Sequence, residues 1–115
     1  MDQHQHHGHS HRLDECIEAC TACYQTCMAA AMHHCLEAGG EHVAPAHFRL
    51  MMACAEMCRA CAHIMMTGYP GHGAACRACA EICERCADDC EHLEGMEDCV
   101  FACRACAHVC EAMAA

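Results

Sequence analysis

From Leu13 to Ala114 the chain alternates small or sulfur-bearing side chains with charged ones at a helical period. In "CRACAEICERCADDC", cysteines fall at positions 76, 79, 83, 86 and 90, and Arg77, Glu81, Glu84 and Arg85 fill the positions between. Steps of three and four hold side chains on one face of an α-helix. Similar stretches recur along the chain, separated by Gly and Pro, and they predict helices over about 14–38, 46–67, 73–93 and 96–114. Gly39 and Gly40 act as stop signals for the first helix, and Pro45 suits an opening position of the second. Gly68 and Pro70 close the second, and Glu97 and Asp98 put acids at the positive end of the fourth. Connections this short make neighbouring helices antiparallel. The expected fold is therefore all-α, an antiparallel up-down-up-down four-helix bundle over 13–115. Residues 1–12 carry five His among Gln, Gly and Ser, and read as a flexible His-rich tail.

Composition changes what such a bundle can contain. Hydrophobic residues make up 56% of the 115 residues, but Ala and Cys supply most of them. Leu, Ile, Val and Phe number only twelve, so a conventional aliphatic core would be thin. Seventeen cysteines must occupy part of the interior. They lie among Ala, Glu, Met and Arg, which favour helix, and not in the loop-rich setting of a secreted disulfide scaffold.

Charge excludes other classes. Six Arg, no Lys and sixteen acids give a net charge of −10, which leaves nothing to neutralise a phosphate backbone, so no nucleic-acid partner is expected. No apolar run reaches the length of a membrane span. The opening "MDQHQHHGHSHRLDE" lacks the basic and apolar regions of a secretory signal, so a cytoplasmic location is expected.

The cysteine spacing carries the chemistry. Of sixteen gaps between successive cysteines, twelve are three or four residues and none is shorter, which places the thiols on inward stripes. The first helix carries Cys16, Cys20, Cys23, Cys27 and, two turns later, Cys35. The second carries Cys54, Cys58 and Cys61, and the third Cys76, Cys79, Cys83, Cys86 and Cys90. The fourth carries Cys99, Cys103, Cys106 and Cys110. One or two such residues would be ordinary core, since Cys is often buried. A stripe filled with Cys on every helix, where Leu or Val would pack better, points instead to metal. Disulfides along one helix are geometrically awkward. Structural zinc uses discrete four-ligand sites, usually on turns, and iron–sulfur clusters use loop spacings. Cu(I) prefers thiolate and thioether and accepts low coordination numbers, so it suits a continuous thiol-lined tube. With each thiolate bridging two ions, capacity would be on the order of one Cu(I) per Cys.

The ladders "CIEACTACYQTC", "CRACAEICERCADDC" and "CVFACRACAHVC" resemble those of the bacterial copper storage proteins, cysteine-rich four-helix bundles. The resemblance covers about residues 14–114 and implies storage of many Cu(I) ions on the seventeen cysteines, assembly into a homotetramer, and no enzymatic activity. It also implies a more polar mouth at one bundle end. The second helix departs from the pattern with three cysteines, flanked on the next rungs by Met51 and Met65.

The expected mouth joins the ends of helices one and three to the starts of two and four, with His34, His47, Met51, His92 and Met96 as possible ligands. The opposite end offers Met65, Met66, His72 and Met113. His63 and His108, at matching places in the two "CRACAH" segments, fall one step outside the cysteine rungs and read as flank residues. Leu50, Met57 and Ile64, with Ile17, Tyr24 and Met28, form a second apolar stripe suited to bundle flanks or an oligomer interface. In the tail, imidazoles would collect divalent metals loosely, and His4 would bind Cu(II) through backbone nitrogens only if Met1 were removed. Two other functions fit the same thiols: a general buffer for zinc or other soft heavy metals, and a thiol redox protein. No cysteine stands out in the sequence with a neighbouring base, which argues against the redox reading. Donor and recipient proteins are not legible in the sequence.

Overall fold

The computed structural model describes residues 3–114, with side chains from residue 11 onward. Four long helices carry the fold: α1 (Gln3–Ala29), α2 (Pro45–Met66), α3 (His72–Cys90) and α4 (Glu97–Met113). α1 packs on α2 and α4, and α3 packs on the same two, so consecutive helices are neighbours and the ring closes between first and last. This is the antiparallel up-down-up-down bundle that the short connections require. Among the described residues there is no strand.

The helix boundaries depart from the sequence expectation at two places. α1 is helical from Gln3, so its start lies well before Asp14 and takes in most of the segment expected to be a tail. That segment has no Pro to interrupt the helix, only Gly8. At about 1.5 Å per residue, α1 outreaches α3 by roughly 12 Å, and its first turns extend past the bundle. The metal-collecting role expected of the tail imidazoles, His4, His6, His7 and His9, falls on side chains outside the described residues. The second departure is at α3, which ends at Cys90 and not near Leu93. Asp88, Asp89 and Glu91 crowd its negative end, where acids oppose the helix dipole.

Within the first helical run, α1 passes into a π-helical turn, Ala30–Cys35, and then a single α turn, Leu36–Ala38. Gly39, at φ 67°, stops it. The π-turn has a packing reason. Cys27 and Cys35 are separated by two steps of four, where the rest of the ladder alternates three and four. An α-helix would rotate the third rung away from the axis, and a wider turn absorbs the extra residue. Ala31 and Cys35 are both fully buried as a result.

The core matches no ordinary protein interior. All seventeen cysteines are buried and unbridged. Among the described residues, the rest of the buried set is Met51, Met65, Met96, six alanines and one polar residue, His47. Ala55, Ala62, Ala80, Ala87 and Ala107 each lie next to or one position from a cysteine and let the helices approach closely. Leu50, Met57, Ile17, Tyr24 and Met28 are half-buried against this core, as flank residues should be. Arg104 of α4 reaches Glu84, Asp88 and Glu91 at 2.6, 3.0 and 2.9 Å, which ties α4 to α3 on the outside. Such exposed pairs fix orientation more than they add stability.

Candidate metal centre

Down the bundle axis the sulfurs form one connected ladder. Between helices, Cys16 and Cys20 of α1 meet Cys110 of α4 at 3.7 and 3.6 Å. Cys23 meets Cys103 at 3.7 Å, and Cys27 meets Cys99 at 3.1 Å. Across the other pair, Cys58 lies 3.4 Å from Cys83 and 3.7 Å from Cys79. Within a helix, the i,i+4 pairs Cys23–Cys27, Cys79–Cys83 and Cys86–Cys90 stand 4.0 Å apart. Two bonds of about 2.3 Å to a shared ion span up to about 4.6 Å, so each of these pairs is spaced to grip one ion between its sulfurs.

The same thiols group into tetrads, with all four sulfurs within 4.8 Å of one another. One is Cys20, Cys79, Cys106 and Cys110. The next, Cys58, Cys79, Cys83 and Cys106, shares two members with it. Then come Cys23, Cys54, Cys58 and Cys83; Cys23, Cys27, Cys54 and Cys103; and Cys27, Cys86, Cys99 and Cys103, each sharing two thiols with its predecessor. The tetrads are edge-sharing. Discrete tetrahedral ions could fill only the first, third and fifth of these, which have no thiol in common. An ion that tolerates bridging thiolates can use every one.

Protons are distributed unevenly along the ladder. Hydrogen bonds from Cys110 and Cys20 bring the Cys16 thiol down to about 4, and Cys103 brings Cys23 down to about 7. The contact with Cys106 pushes Cys20 and Cys83 up and pulls Cys79 down. Neighbouring thiols cannot all ionise together in a dry interior, so some sulfurs keep protons and donate to the ones that do not.

At the expected mouth, three of the five candidate ligands converge on one thiol. Cys35 Sγ lies 3.8 Å from Met51 Sδ and 3.8 Å from Met96 Sδ, with His47 Nε2 at 4.0 Å. The other ring nitrogen, His47 Nδ1, is 2.7 Å from Asp89 Oδ2. The remaining two candidates are not brought to it. His34 is half-buried, with Nε2 2.9 Å from the Glu94 carbonyl, and His92 is exposed. His42 Nε2 meets the same Glu94 carbonyl at 2.8 Å, so one imidazole from the π-turn and one from the connection after it clasp the α3–α4 turn. At the other end, Met65 Sδ lies 3.7 Å from Cys76 Sγ, while His72 Nδ1 is taken up by the Tyr69 carbonyl at 2.7 Å. Met66 is exposed and Met113 half-buried. His63 and His108 are exposed, outside the rungs as expected.

Two features were not found by reading the sequence. Cys35 has a neighbouring base, His47, although no cysteine stands out with one in the sequence. Asp89 is its carboxylate partner, 42 residues away, and "CADDC" gives no sign of the pairing. The π-turn did leave a sign, the eight-residue gap from Cys27 to Cys35.

Known proteins carry the same architecture. A crystal structure of the Nmul_A1745 protein from Nitrosospira multiformis matches with 51% identity and a TM-score of 0.90, over 91% of this chain and 96% of that one. The Cu(I)-bound copper storage protein BsCsp3 matches at 34% identity and a TM-score of 0.83, over 90% of this chain and 99% of that one. Apo copper storage protein 3 from Bacillus subtilis matches at 35% identity and a TM-score of 0.77, over 89% and 98%. Among curated proteins none matches. The family model for copper storage proteins matches residues 9–115, which takes in every rung of the ladder. The chain belongs to the copper storage protein family.

Proposed function

We propose that this protein stores Cu(I), holding many ions per chain on its seventeen core cysteines and releasing them by ligand exchange. The observation that carries this is the edge-sharing of the thiol tetrads. It suits an ion that bridges thiolates, and it leaves room for no more than three separate tetrahedral ions among the five tetrads described above. The core offers sulfur almost exclusively, with His47 the one buried polar side chain among the described residues. That donor set selects a soft monovalent ion over a hard divalent one. The role is storage and not turnover: the thiols act by number. A reducing compartment such as the cytoplasm suits seventeen free thiols, which an oxidising one would bridge. Among the described residues, no helix is long and apolar enough to cross a membrane.

Copper enters, on this reading, at the end where Cys35, Met51, Met96 and His47 gather. Assembly into a tetramer, as the family resemblance implies, has support in an exposed apolar face. Phe101 is 75% exposed on α4, with Val100 beside it and Ala19, Ala22 and Ala105 along the groove to α1. A face of this kind is ordinarily covered by another chain.

An anaerobic titration with Cu(I), against a strong chromogenic chelator, tests the storage reading. On the order of one ion per thiol is expected, with helix content unchanged. Saturation at one or two ions per chain would overturn it. Competition between Cu(I) and Zn(II) for the loaded protein tests the general thiol buffer, which requires Zn(II) to fill the same thiols in comparable number.

A further inference from the structure

We propose that Cys27 and Cys99 form a redox-active dithiol through which the chain captures Cu(II), reducing it with its own thiols and storing the product as Cu(I). The proposal rests on the storage reading and adds a reaction to it.

Proximity is the first observation that singles out this pair. Cys27 Sγ of α1 and Cys99 Sγ of α4 stand 3.1 Å apart, while the next nearest thiols, Cys58 and Cys83, stand at 3.4 Å. Pairs along one helix are poor candidates for bridging. Cys23–Cys27, Cys79–Cys83 and Cys86–Cys90 are 4.0 Å apart at sulfur. Side chains one turn apart also have Cβ atoms about 5–6 Å apart, against about 3.8 Å in a disulfide. Residues on facing helices are free of that limit. Access is the second observation. Cys99 is 1% exposed, where every other cysteine is 0%. It lines a surface recess between α1 and α4, together with Thr26, His34, Gly95, Met96 and Asp98. Cys90 lines a different recess, but its thiol contacts are longer, 3.8 Å to Cys99 and 4.0 Å to Cys86. Among the described residues, only at Cys99 does the closest thiol pair coincide with access from solvent.

Cu(II) is a one-electron oxidant, and soft thiolates favour its reduced form. An ion that reaches Cys99 displaces the thiol proton and takes one electron from the sulfur. A second Cu(II) takes the second electron as Cys27 loses its proton and the S–S bond forms. Two thiols and two Cu(II) give one disulfide, two Cu(I) and two protons, with no outside reductant. The bridge then moves inward by thiol–disulfide exchange. Cys103 Sγ lies 3.5 Å from Cys27 Sγ, placed to attack it and release Cys99. Cys23, 3.7 Å from Cys103, is placed for the next exchange. The freed Cys99 meets the next ion. Each ion consumes one thiol as reductant and occupies another as ligand. Reductive capture therefore stops at about half the Cu(I) capacity, about eight ions for seventeen cysteines.

The test mixes the reduced, metal-free full chain anaerobically with Cu(II) held by glycine. The Cu(II) electron paramagnetic resonance signal, the free thiols and the Cu(I) recovered by a chromogenic chelator are followed together. The signal should vanish for about the first eight ions and persist beyond them, with one thiol lost per ion. Rapid acid quenching after the first ions, then alkylation and peptide mapping, should find the earliest bridge between Cys27 and Cys99. A signal that persists from the first ion, or an earliest bridge elsewhere, would overturn the proposal. A parallel titration with Cu(I) keeps the two readings apart. Full Cu(I) loading beside an undiminished Cu(II) signal removes reductive capture alone, whereas failure to load Cu(I) removes storage. Kinetics give a further measurement. The Cys27→Ser/Cys99→Ser variant should lose about two ions of Cu(I) capacity and reduce Cu(II) about tenfold more slowly. An unchanged reduction rate in that variant, with native helix content, would also overturn the dithiol.

Discussion

The two ends of the bundle are built from the same soft chemistry and finish it differently. At the far end Cys76 meets Met65 at 3.7 Å and Cys61 at 3.9 Å, and Cys16 meets Cys110 at 3.7 Å. Each of these buried sulfurs has a thiol for company. The nearby imidazole of His72 is spent on a backbone carbonyl, and Arg77 caps the Ala114 carbonyl at 2.8 Å. At the mouth the last thiol, Cys35, has no thiol partner but two thioethers and a carboxylate-backed imidazole. One end continues the ladder until it is closed by backbone contacts. The other replaces it with exchangeable ligands.

The largest expected effect comes from removing one thiol at each end. Cys35→Ser should slow uptake of Cu(I) by about tenfold or more, because the entering ion loses its anionic ligand. Cys76→Ser should leave the initial rate within about twofold and lower capacity by about one ion, since its rung is reached late. Stopped-flow transfer from a coloured chelator measures both. Equal slowing in the two variants would mean that the ends are interchangeable as entrances.

How much of this was legible in the sequence follows from where each interaction lies. The ladder was legible because an α-helix converts spacing of three and four directly into a shared face, so all seventeen buried thiols could be named. Met51 and Met96 followed by extending the same steps. The closing of the mouth was not legible. His47 and Asp89 lie on α2 and α3, and nothing local to either marks their meeting. His34 was expected among the ligands, but its ring nitrogen is held by the Glu94 carbonyl, a backbone atom with no sequence signature. Phe101 was also passed over, because its exposure depends on which way α4 turns.

The ends should also differ in their response to pH. At the mouth, burial and the nearby Cys99 and Cys86 push the Cys35 thiol up, so near neutral pH it is protonated and copper must displace that proton. Its affinity should fall by about tenfold for each unit that pH is lowered. At the far end, hydrogen bonds from Cys110 and Cys20 hold Cys16 down to about 4. It is already a thiolate at pH 7, so copper capture there releases no proton until pH approaches that value. Thiolate absorbance near 240 nm in the metal-free protein measures the difference. A component that persists to about pH 5 should vanish in Cys16→Ser and survive in Cys35→Ser. Its survival in Cys16→Ser would assign the low-pH thiolate to another sulfur.

The smallest expected effect separates the two turns that close the ends. Gly68 and Gly95 both hold left-handed backbone, at φ 76° and 80°. Alanine at either position pays the Cβ–carbonyl clash, about 1–2 kcal/mol. Their surroundings differ. A Cβ at Gly68 meets nothing within 4 Å, whereas one at Gly95 would stand 2.5 Å from Nε2 of His34. Gly68→Ala should therefore lower thermal stability modestly and leave copper uptake alone. Gly95→Ala should lower it by a similar amount and, in addition, displace the His34 ring from the Glu94 carbonyl, loosening the clasp beside the recess that leads to Met96. Melting curves and uptake rates on the two variants make the comparison. Equal melting shifts with altered uptake only in Gly95→Ala would show that the His34 contact shapes the entrance and not the fold. Unchanged uptake in both would show that the clasp plays no part in admitting copper.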